Sequence, residues 1–278
     1  MAAPFVIDHD YHIHSYISPC AGELRKAQTA ERILQYAREN GLSRIVVTDH
    51  FWDSAVPGEV GWYQELGLNY EGVADILPLP QAENIRFFFG CEVEMDKNLT
   101  IGLSPEKYDQ FDFIIVATTH LHLEGITVDT NDMDHHQRAE LYVKRFQALL
   151  DGDLPFGKVG IAHPTCSLLA GYGEYETHLD IVDLISDETF THLFRQTAQK
   201  GMGVELNFPL ELYAPENYER ALRPYRIAKA CGCKFYIGSD AHHPKQFEGF
   251  RENFQKIVNL LGLQACDQFH FSGEIGEN

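Results

Sequence analysis

Short apolar runs alternate with longer amphipathic stretches along most of the chain, and the two patterns predict strands and helices respectively. The first apolar run, 5–7, leads into Tyr11-His12-Ile13-His14. Six later runs predict strands at 44–48, 86–94, 111–118, 159–162, 203–208 and 234–239. Apolar positions at helical spacing predict helices at 29–40, around 141–150, and at 187–200, 216–230 and 246–261. These seven strand–helix units predict parallel strands joined by right-handed crossovers.

The segment 51–85 interrupts this alternation with Gly, Pro and aromatic residues, among them Trp52, Trp62 and Tyr63. Long segments at strand ends in compact domains are commonly functional. We therefore predict that 51–85 is a lid or pocket wall inserted into a single domain spanning 1–278. The alternative is that its aromatic residues simply pack a satellite cluster. A single α/β barrel would use the whole chain of 278 residues.

The net charge narrows the choice of partners. With 22 Lys and Arg against 41 Asp and Glu, the formal charge is −19, which argues against binding of long nucleic acid. A small phosphate ester is compatible with this charge, because bound divalent cations reverse the sign of the field inside a pocket. Most of the acidic residues are expected at the surface, where they confer solubility.

The sequence also predicts the compartment. No apolar run approaches the ~20 residues that a membrane helix needs. The N-terminal residues lack the basic flank and long apolar region of a secretory signal, so we expect a cytoplasmic protein with no membrane partner. The six cysteines form no disulfide framework, and most are expected to be buried thiols. Nothing in the sequence indicates an oligomeric state.

Histidine and acidic residues stand where the predicted strands end. In an extended chain alternate side chains point the same way, so His12 and His14 can direct two imidazoles at one point. Later runs end in Asp49-His50, Glu92, His120, His163 and Asp240-Ala241-His242. Any one of these histidines, taken alone, is as well explained by a solvated or backbone-bonded side chain.

The joint pattern of these residues predicts a metal site. A parallel barrel places the carboxyl ends of its strands on one rim, so these side chains are expected to meet. Imidazole and carboxylate together suit Zn, Mn or Fe, and a carboxylate can bridge two ions. Two or three such ions would hold a hydroxide between them and clamp the oxygens of a phosphoryl group, which predicts hydrolysis.

Two further features have competing interpretations. The segment 129–136 is acidic and rich in histidine, and we interpret His135 and His136 as the start of a helix, because acidic and polar residues gather at helix N-termini. A metal site that hydrolyses a phosphate ester also needs a cation on the side of the phosphate away from the metals. Arg220 and Arg223 are the candidates for this substrate contact, and an ordinary helix-surface charge, the commoner case, is the alternative for each.

The ordered set of motifs resembles that of the PHP family (polymerase and histidinol phosphatase), and within it the stand-alone histidinol-phosphatase branch. The motifs are His12-Ile13-His14, Thr48-Asp49-His50, Gly90-Cys91-Glu92, Thr119-His120, Ala162-His163-Pro164 and Ser239-Asp240-Ala241-His242. The resemblance spans nearly the whole chain. It implies a distorted (β/α)7 barrel with a trinuclear metal centre.

The resemblance also implies which residues bind each ion. One ion would be held by His12, His14, Glu92 and Asp240. A second would be held by His120 and His163 together with Glu92, which would bridge the two. His50 and His242 would bind the third. Close relatives have a His or Asp in the loop after the first motif, where this chain has Cys20, which is either a thiolate ligand or a plain buried thiol.

The function implied is hydrolysis of a small phosphorylated metabolite, a phosphomonoester, by a hydroxide held between two or three Zn, Mn or Fe ions. Asp49 is expected to accept a hydrogen bond from a metal-bound imidazole, since such rings usually donate their free N–H to a carboxylate. Two alternatives stay open. One is a phosphodiester or nucleotide hydrolase of the same family, which the charge disfavours. The other is a catalytically silent metal-binding module, which would normally have lost ligands.

Overall fold

Eight strands and eight α-helices lie within residues 3–58, 61–171, 174 and 176–274, the part of the chain that the computed structural model describes. The strands are β1 (His9–Ile13), β2 (Arg44–Val47), β3 (His50–Phe51), β4 (Arg86–Val93), β5 (Phe113–Ala117), β6 (Val159–Ala162), β7 (Gly203–Leu206) and β8 (Lys234–Ile237). The α-helices are α1 (Ala30–Glu39), α2 (Gly61–Glu65), α3 (Tyr70–Val73), α4 (His135–Asp151), α5 (Thr177–Asp183), α6 (Asp187–Lys200), α7 (Tyr218–Ala230) and α8 (Phe250–Leu261). Short 3-10 helices lie at Pro19–Ala27, Ala74–Ile76, Pro105–Gln110, Phe156–Lys158, Ser167–Leu169, Leu210–Leu212, Pro215–Asn217, Pro244–Phe247 and Ala265–Asp267.

Seven of the strands form a nearly closed barrel in which every paired neighbour is parallel. Their order, β1-β2-β4-β5-β6-β7-β8, follows the sequence, as expected for strands joined by helical crossovers. The two-residue strand β3 lies off this path and pairs with the end of β4, with His50 opposite Glu92. The predicted distorted (β/α)7 barrel in a single α/β domain is confirmed.

The two ends of the barrel sheet meet where β1 approaches β8. Ile13 and Ala241 form a parallel bridge, and the backbone N–H of Asp240 donates to the carbonyl of His12 at 2.7 Å. These contacts lie at the carboxyl ends of the two strands. Residues from the two termini of the chain therefore share one rim.

The amino-terminal end of the barrel is filled by aromatic rings. Tyr11, Phe113 and Tyr236 are buried together with Phe269 and Phe271 of the C-terminal segment. Buried aromatic side chains contribute a large apolar area to a core. Because this end is filled, a site can open only at the carboxyl ends of the strands, where barrels of this class place their chemistry.

Helix starts follow the capping signals in the sequence. Thr29 accepts a hydrogen bond from the backbone of Arg32 at the start of α1, and such caps contribute about 1 kcal/mol. Asp134 forms a capping box at the start of α4. His135 and His136 are the first residues of that helix and are exposed, so their interpretation as a helix start is confirmed.

Two helix predictions are corrected by the structure. The helix predicted at 246–261 is broken, because Gly249 has a left-handed φ of 69° and separates a 3-10 turn from α8. The helix predicted from 216 begins later, at Tyr218, after another 3-10 turn. None of the described helices combines the length and the apolar character that crossing a membrane requires.

The insertion 51–85 carries α2 and α3, and residues 59–60 within it lie outside the described residues. Trp52, Tyr63 and Leu68 form a small hydrophobic cluster of their own. The backbone N–H of Trp52 donates to the carbonyl of Leu68 at 2.8 Å, which ties the start of the insertion to the loop after α2. The insertion therefore has its own small core.

Candidate metal centre

The residues predicted to bind metal stand together on the rim at the carboxyl ends of the strands. Three groups each place their ligand atoms within 4.8 Å of one another: His12, His14, Glu92 and Asp240; Glu92, His120 and His163; and His14, His50 and His242. Glu92 belongs to the first two groups, and His14 belongs to the first and the third. The first two groups coincide with the ligand sets that the sequence resemblance implied.

The imidazole rings of His12 and His14 both direct their Nε2 atoms toward one point. The Nδ1–H of His12 donates to Glu205 Oε1 at 2.8 Å, because a carboxylate can only accept. The Nε2 atom of His12 then lies 3.2 Å from Nε2 of His14 and 3.3 Å from Asp240 Oδ1. Both imidazoles thus present Nε2 to one point, as metal-binding histidines do.

Asp49 is linked to the Nδ1 side of the His14 ring through Ser18. The Oγ of Ser18 lies 2.8 Å from Nδ1 of His14 and donates its own proton to Asp49 Oδ1 at 2.6 Å. Asp49 also accepts from the backbone and hydroxyl of Ser15, at 2.8 and 2.6 Å. The sequence placed this carboxylate beside a metal-bound imidazole because it adjoins His50. The structure instead connects it to His14 through a serine hydroxyl.

His120 and His163 have the same arrangement on the other side of Glu92. The Nδ1–H of His120 donates to Glu94 Oε2 at 2.6 Å, and Nδ1 of His163 lies 2.7 Å from the hydroxyl of Thr119. Their Nε2 atoms lie 3.8 and 3.0 Å from Glu92 Oε1. One carboxylate oxygen therefore faces both rings.

His50, His242 and Cys20 form the outer part of the centre. The Nδ1–H of His242 donates to the carbonyl of Asp240 at 2.8 Å, and its Nε2 lies 3.3 Å from Nε2 of His50. The Sγ of Cys20 lies 3.1 Å from the same nitrogen of His50. Partial enclosure opposes ionisation of this thiol, but His50 and His242 lower the pKa of Cys20 to about 5. A thiolate is the form of cysteine that binds metal.

Glu205, in β7, is a buried carboxylate that fixes two predicted ligands. Its Oε1 accepts from His12, and its Oε2 accepts from the backbone N–H of His163. A Cβ at Gly238 would lie 1.8 Å from Glu205 Oε1, so only glycine leaves room for this carboxylate. The sequence signal was an acidic residue near the end of a buried strand, but only the fold reveals its partners.

Two of the predicted ligands hold unfavourable backbone conformations. His163 has φ 24° and Asp240 has φ 52°, in the left-handed region that residues other than glycine rarely occupy. Such conformations cost about 1–3 kcal/mol each and persist where the surrounding structure over-determines them. Backbone hydrogen bonds to Glu205 and to the carbonyl of His12 do so here. Both residues are therefore held in place at a cost to stability.

The donor set fits divalent transition metals. Glu92 Oε2 is buried and accepts no hydrogen bond from any described residue, although Nδ1 of His50 lies 2.7 Å away. Burial alone would raise the pKa of Glu92, but the charges of His50 and His12 hold it well below its usual range. The pKa of Asp240 is likewise lowered against burial, chiefly by His12. Ionised carboxylates and imidazole nitrogens that converge in this way suit a divalent transition-metal ion.

A cavity of about 710 Å³ opens over these residues. Its apolar lining includes Trp62, Leu123, Phe208, Leu212 and Phe254, and Tyr63 also contributes to it. Lys245 is the one lysine or arginine among the described residues that line the cavity. The insertion 51–85 thus forms part of the cavity wall through Trp62 and Tyr63. The sequence analysis did not identify Lys245, which follows the last predicted ligand, His242, by three residues.

Arg220 does not line this cavity. Its guanidinium pairs with Asp180 at 2.5 Å and with Asp183 at 2.7 Å on the outside of the barrel. The prediction that Arg220 contacts the substrate is therefore corrected, and the structure supports the alternative of a helix-surface charge. Its position on α7 turns the side chain toward α5, which the sequence pattern alone does not reveal.

Comparison with known proteins identifies the family. A model of the PHP domain matches residues 10–208, well over half of the chain. A histidinol phosphate phosphatase from Lactococcus lactis, solved in complex with zinc, L-histidinol and phosphate, has a TM-score of 0.55 and 16% identity, covering 96% of this chain and 97% of that one. A putative histidinol phosphatase from Listeria monocytogenes has a TM-score of 0.57 and 16% identity, covering 86% and 97%. No curated protein matches the sequence significantly. At 16% identity, these two comparisons show that the chain shares the fold of both proteins.

Proposed function

Because this chain belongs to the PHP family, we propose that it is a metal-dependent hydrolase of small phosphomonoesters. The observation that carries the proposal is the sharing of Glu92 between two ligand groups on the floor of a cavity. A carboxylate shared in this way suits two neighbouring cations, and such pairs serve phosphoryl transfer to water.

The three ligand groups support an assignment of each ion to particular residues. His12, His14, Glu92 and Asp240 would hold one ion, and Glu92, His120 and His163 the second. His50 and His242 would hold the third, with Cys20 as a thiolate ligand. When bound, Zn, Mn or Fe ions supply a water activated near neutral pH and stabilise charge on the phosphoryl oxygens.

The surrounding residues prepare this chemistry. Glu205 and Glu94 keep protons on Nδ1 of His12 and His120, and Asp49 orients His14 through Ser18. Each ring therefore offers its Nε2 lone pair without further rearrangement. Lys245 supplies a positive charge at the cavity wall for the substrate phosphate, the role that the sequence had assigned to Arg220.

The cavity indicates the class of substrate. Its apolar wall, formed by side chains such as Trp62, Phe208 and Leu212, suits the organic part of a small molecule. The Lactococcus lactis structure contains L-histidinol and phosphate, an alcohol and the ion that hydrolysis of a phosphomonoester releases. This likeness supports a small phosphorylated alcohol as the substrate of the present chain. The charge of −19 disfavours long nucleic acid.

A substrate panel tests the proposal. The metal-free protein is supplied with Zn or Mn and assayed for phosphate release from phosphomonoesters, including histidinol phosphate, and for cleavage of phosphodiesters and mononucleotides. We expect the monoesters to be hydrolysed fastest. Preference for diesters would support the alternative hydrolase, and metal binding without turnover of any substrate would support the silent metal-binding module.

A further inference from the structure

Glu94 is a buried carboxylate whose two oxygens are both occupied by hydrogen-bond donors. Oε2 accepts from Nδ1 of His120 at 2.6 Å and from the hydroxyl of Tyr63 at 3.0 Å. Oε1 accepts from the backbone N–H of Met95 at 2.9 Å and faces Arg145 Nη2 at 3.4 Å. A carboxylate with donors on both oxygens cannot turn without breaking a bond. The orientation of His120 thus depends on everything that holds Glu94.

The Oε1 atom of Glu94 is held by Met95 and Arg145 of the barrel. Arg145 is completely buried, and its guanidinium donates to backbone carbonyls around the ends of β4 and β5. These carbonyls belong to Met95, Asp96, Ala117, Thr118 and Thr127. A buried cation held by this many acceptors is a fixed part of the fold. Substitution of Arg145 would leave several buried carbonyls without a hydrogen-bond donor, so an Arg145 variant is unsuitable for testing the role of Glu94.

The other side of Glu94 belongs to the insertion. Tyr63 lies in the short helix α2, and its carbonyl accepts from the backbone N–H of Leu68 at 2.9 Å. Its ring is buried with Trp52 and Leu68, while its neighbour Trp62 is partly exposed and lines the cavity. Tyr63 therefore joins the wall of the cavity to the carboxylate that orients a predicted metal ligand.

We propose that Tyr63 is a positioning residue that couples the insertion to the metal centre through Glu94 and His120. Docking of residues 61–68 holds the Nε2 atom of His120 toward Glu92, and a metal ion held there favours the docked segment in return. Coupling between two equilibria is reciprocal, so each must strengthen the other by the same factor. The inference rests on the metal centre of the proposed function and is independent of the reaction catalysed there.

The variant Tyr63→Phe tests this coupling, because it keeps the buried ring and removes only the hydroxyl. Loss of an outer hydrogen-bond partner of a metal-bound histidine typically weakens metal affinity by about 10- to 100-fold. Since Glu94 keeps three other donors, we expect roughly a tenfold loss of zinc affinity, measured by competition with a chelating dye. Tyr108→Phe is the matched control, because the Tyr108 hydroxyl donates to the carbonyl of Asp153 away from the site.

Hydrogen exchange supplies the second readout. In the parent protein, zinc should slow exchange of the amides of Trp52 and Leu68, whose hydrogen bonds hold the insertion together. In Tyr63→Phe this zinc-dependent protection should shrink, while in Tyr108→Phe it should match the parent. Unchanged zinc affinity and unchanged protection in Tyr63→Phe would overturn the inference.

A second variant keeps the test decisive if Tyr63→Phe folds poorly. Glu94→Gln retains the shape of the side chain and removes its charge, so it should weaken zinc binding more than Tyr63→Phe and should also remove the zinc-dependent protection of Leu68. Full protection in Glu94→Gln would contradict the coupling. If zinc binding and protection behave as expected while no phosphoester is hydrolysed, the proposed reaction fails and the coupling stands. Failure of the parent protein to bind zinc would overturn both the proposed metal-dependent reaction and the coupling through Tyr63.

Discussion

The Nε2 atoms of His12 and His14 lie 3.2 Å apart, and both side chains are fully buried. Both rings are held there by hydrogen bonds on Nδ1, to Glu205 and to Ser18. Two nitrogen lone pairs facing each other at this distance repel, and a positive charge must lie between them or on one of them. The nearby carboxylates of Glu92 and Asp240 also require a positive charge at this position. A divalent cation would meet both requirements, which supports the proposed metal centre.

Metal removal should therefore lower stability. A ligand at 100 times its Kd stabilises the folded state by about 2.7 kcal/mol. For a chain of this size, we expect zinc to raise the melting temperature of chelator-treated protein by about 5 °C or more. Differential scanning calorimetry measures the shift, and magnesium serves as the control ion because it binds imidazole poorly. Equal melting temperatures with and without zinc would contradict a metal centre in this position.

Glu92→Gln should abolish most activity, because one carboxylate faces two ligand groups. We expect kcat/KM for the best phosphomonoester to fall by more than about 100-fold, which is ~2.7 kcal/mol in the barrier. Glu274→Gln is the matched control, since Glu274 is also a buried glutamate but lies at the filled end of the barrel beside Arg44. A loss within about tenfold for Glu92→Gln would be too small for a shared ligand.

Cys20→Ser should remove one ion selectively. The Sγ atom of Cys20 lies 3.1 Å from Nε2 of His50, and His50 belongs to only one of the three ligand groups, the one with His242. Elemental analysis of protein saturated with zinc should show one ion fewer per chain in Cys20→Ser than in the parent. The exposed Cys266 provides the control substitution, Cys266→Ser. An unchanged zinc content and affinity in Cys20→Ser would mean that Cys20 is a plain thiol.

Lys245→Ala should weaken substrate binding, and Arg220→Ala should leave it unchanged. Lys245 lines the cavity, while Arg220 is paired with Asp180 and Asp183 outside it. Hydrogen bonds to charged groups contribute about 1.5–3 kcal/mol, so we expect KM to rise at least tenfold in Lys245→Ala. Steady-state kinetics on one phosphomonoester compare the two variants. The reverse result would restore Arg220 as the substrate contact.

The placement of the candidate ligands on one rim was predictable because parallel strands align their carboxyl ends. A histidine or carboxylate directly after an apolar run, as in His120 or His163, must then lie on the common rim whatever the details of packing. The capped start of α4 was predictable for a similarly local reason, because Asp134 and the residues that it caps are adjacent in sequence.

Partners that depend on three-dimensional packing were not predictable. Nothing near Glu205 in the sequence indicates that it fixes both His12 and His163, since the barrel brings these strands together. Asp49 adjoins His50 but is connected to His14, because a serine hydroxyl intervenes. Arg220 faces α5, where it pairs with Asp180 and Asp183, because of how α7 packs on the barrel. The pattern of charges along α7 does not reveal which element its surface faces.

Zinc titration of the metal-free protein tests the central claim most directly. Zinc content and phosphate release from a generic monoester, p-nitrophenyl phosphate, or the best monoester of the panel are followed in the same samples. Because two ligand groups share Glu92, we predict that phosphate release rises only as occupancy passes from one to two ions per chain. Phosphate release that persists in metal-free protein, or full zinc occupancy without hydrolysis of any monoester, would contradict the account.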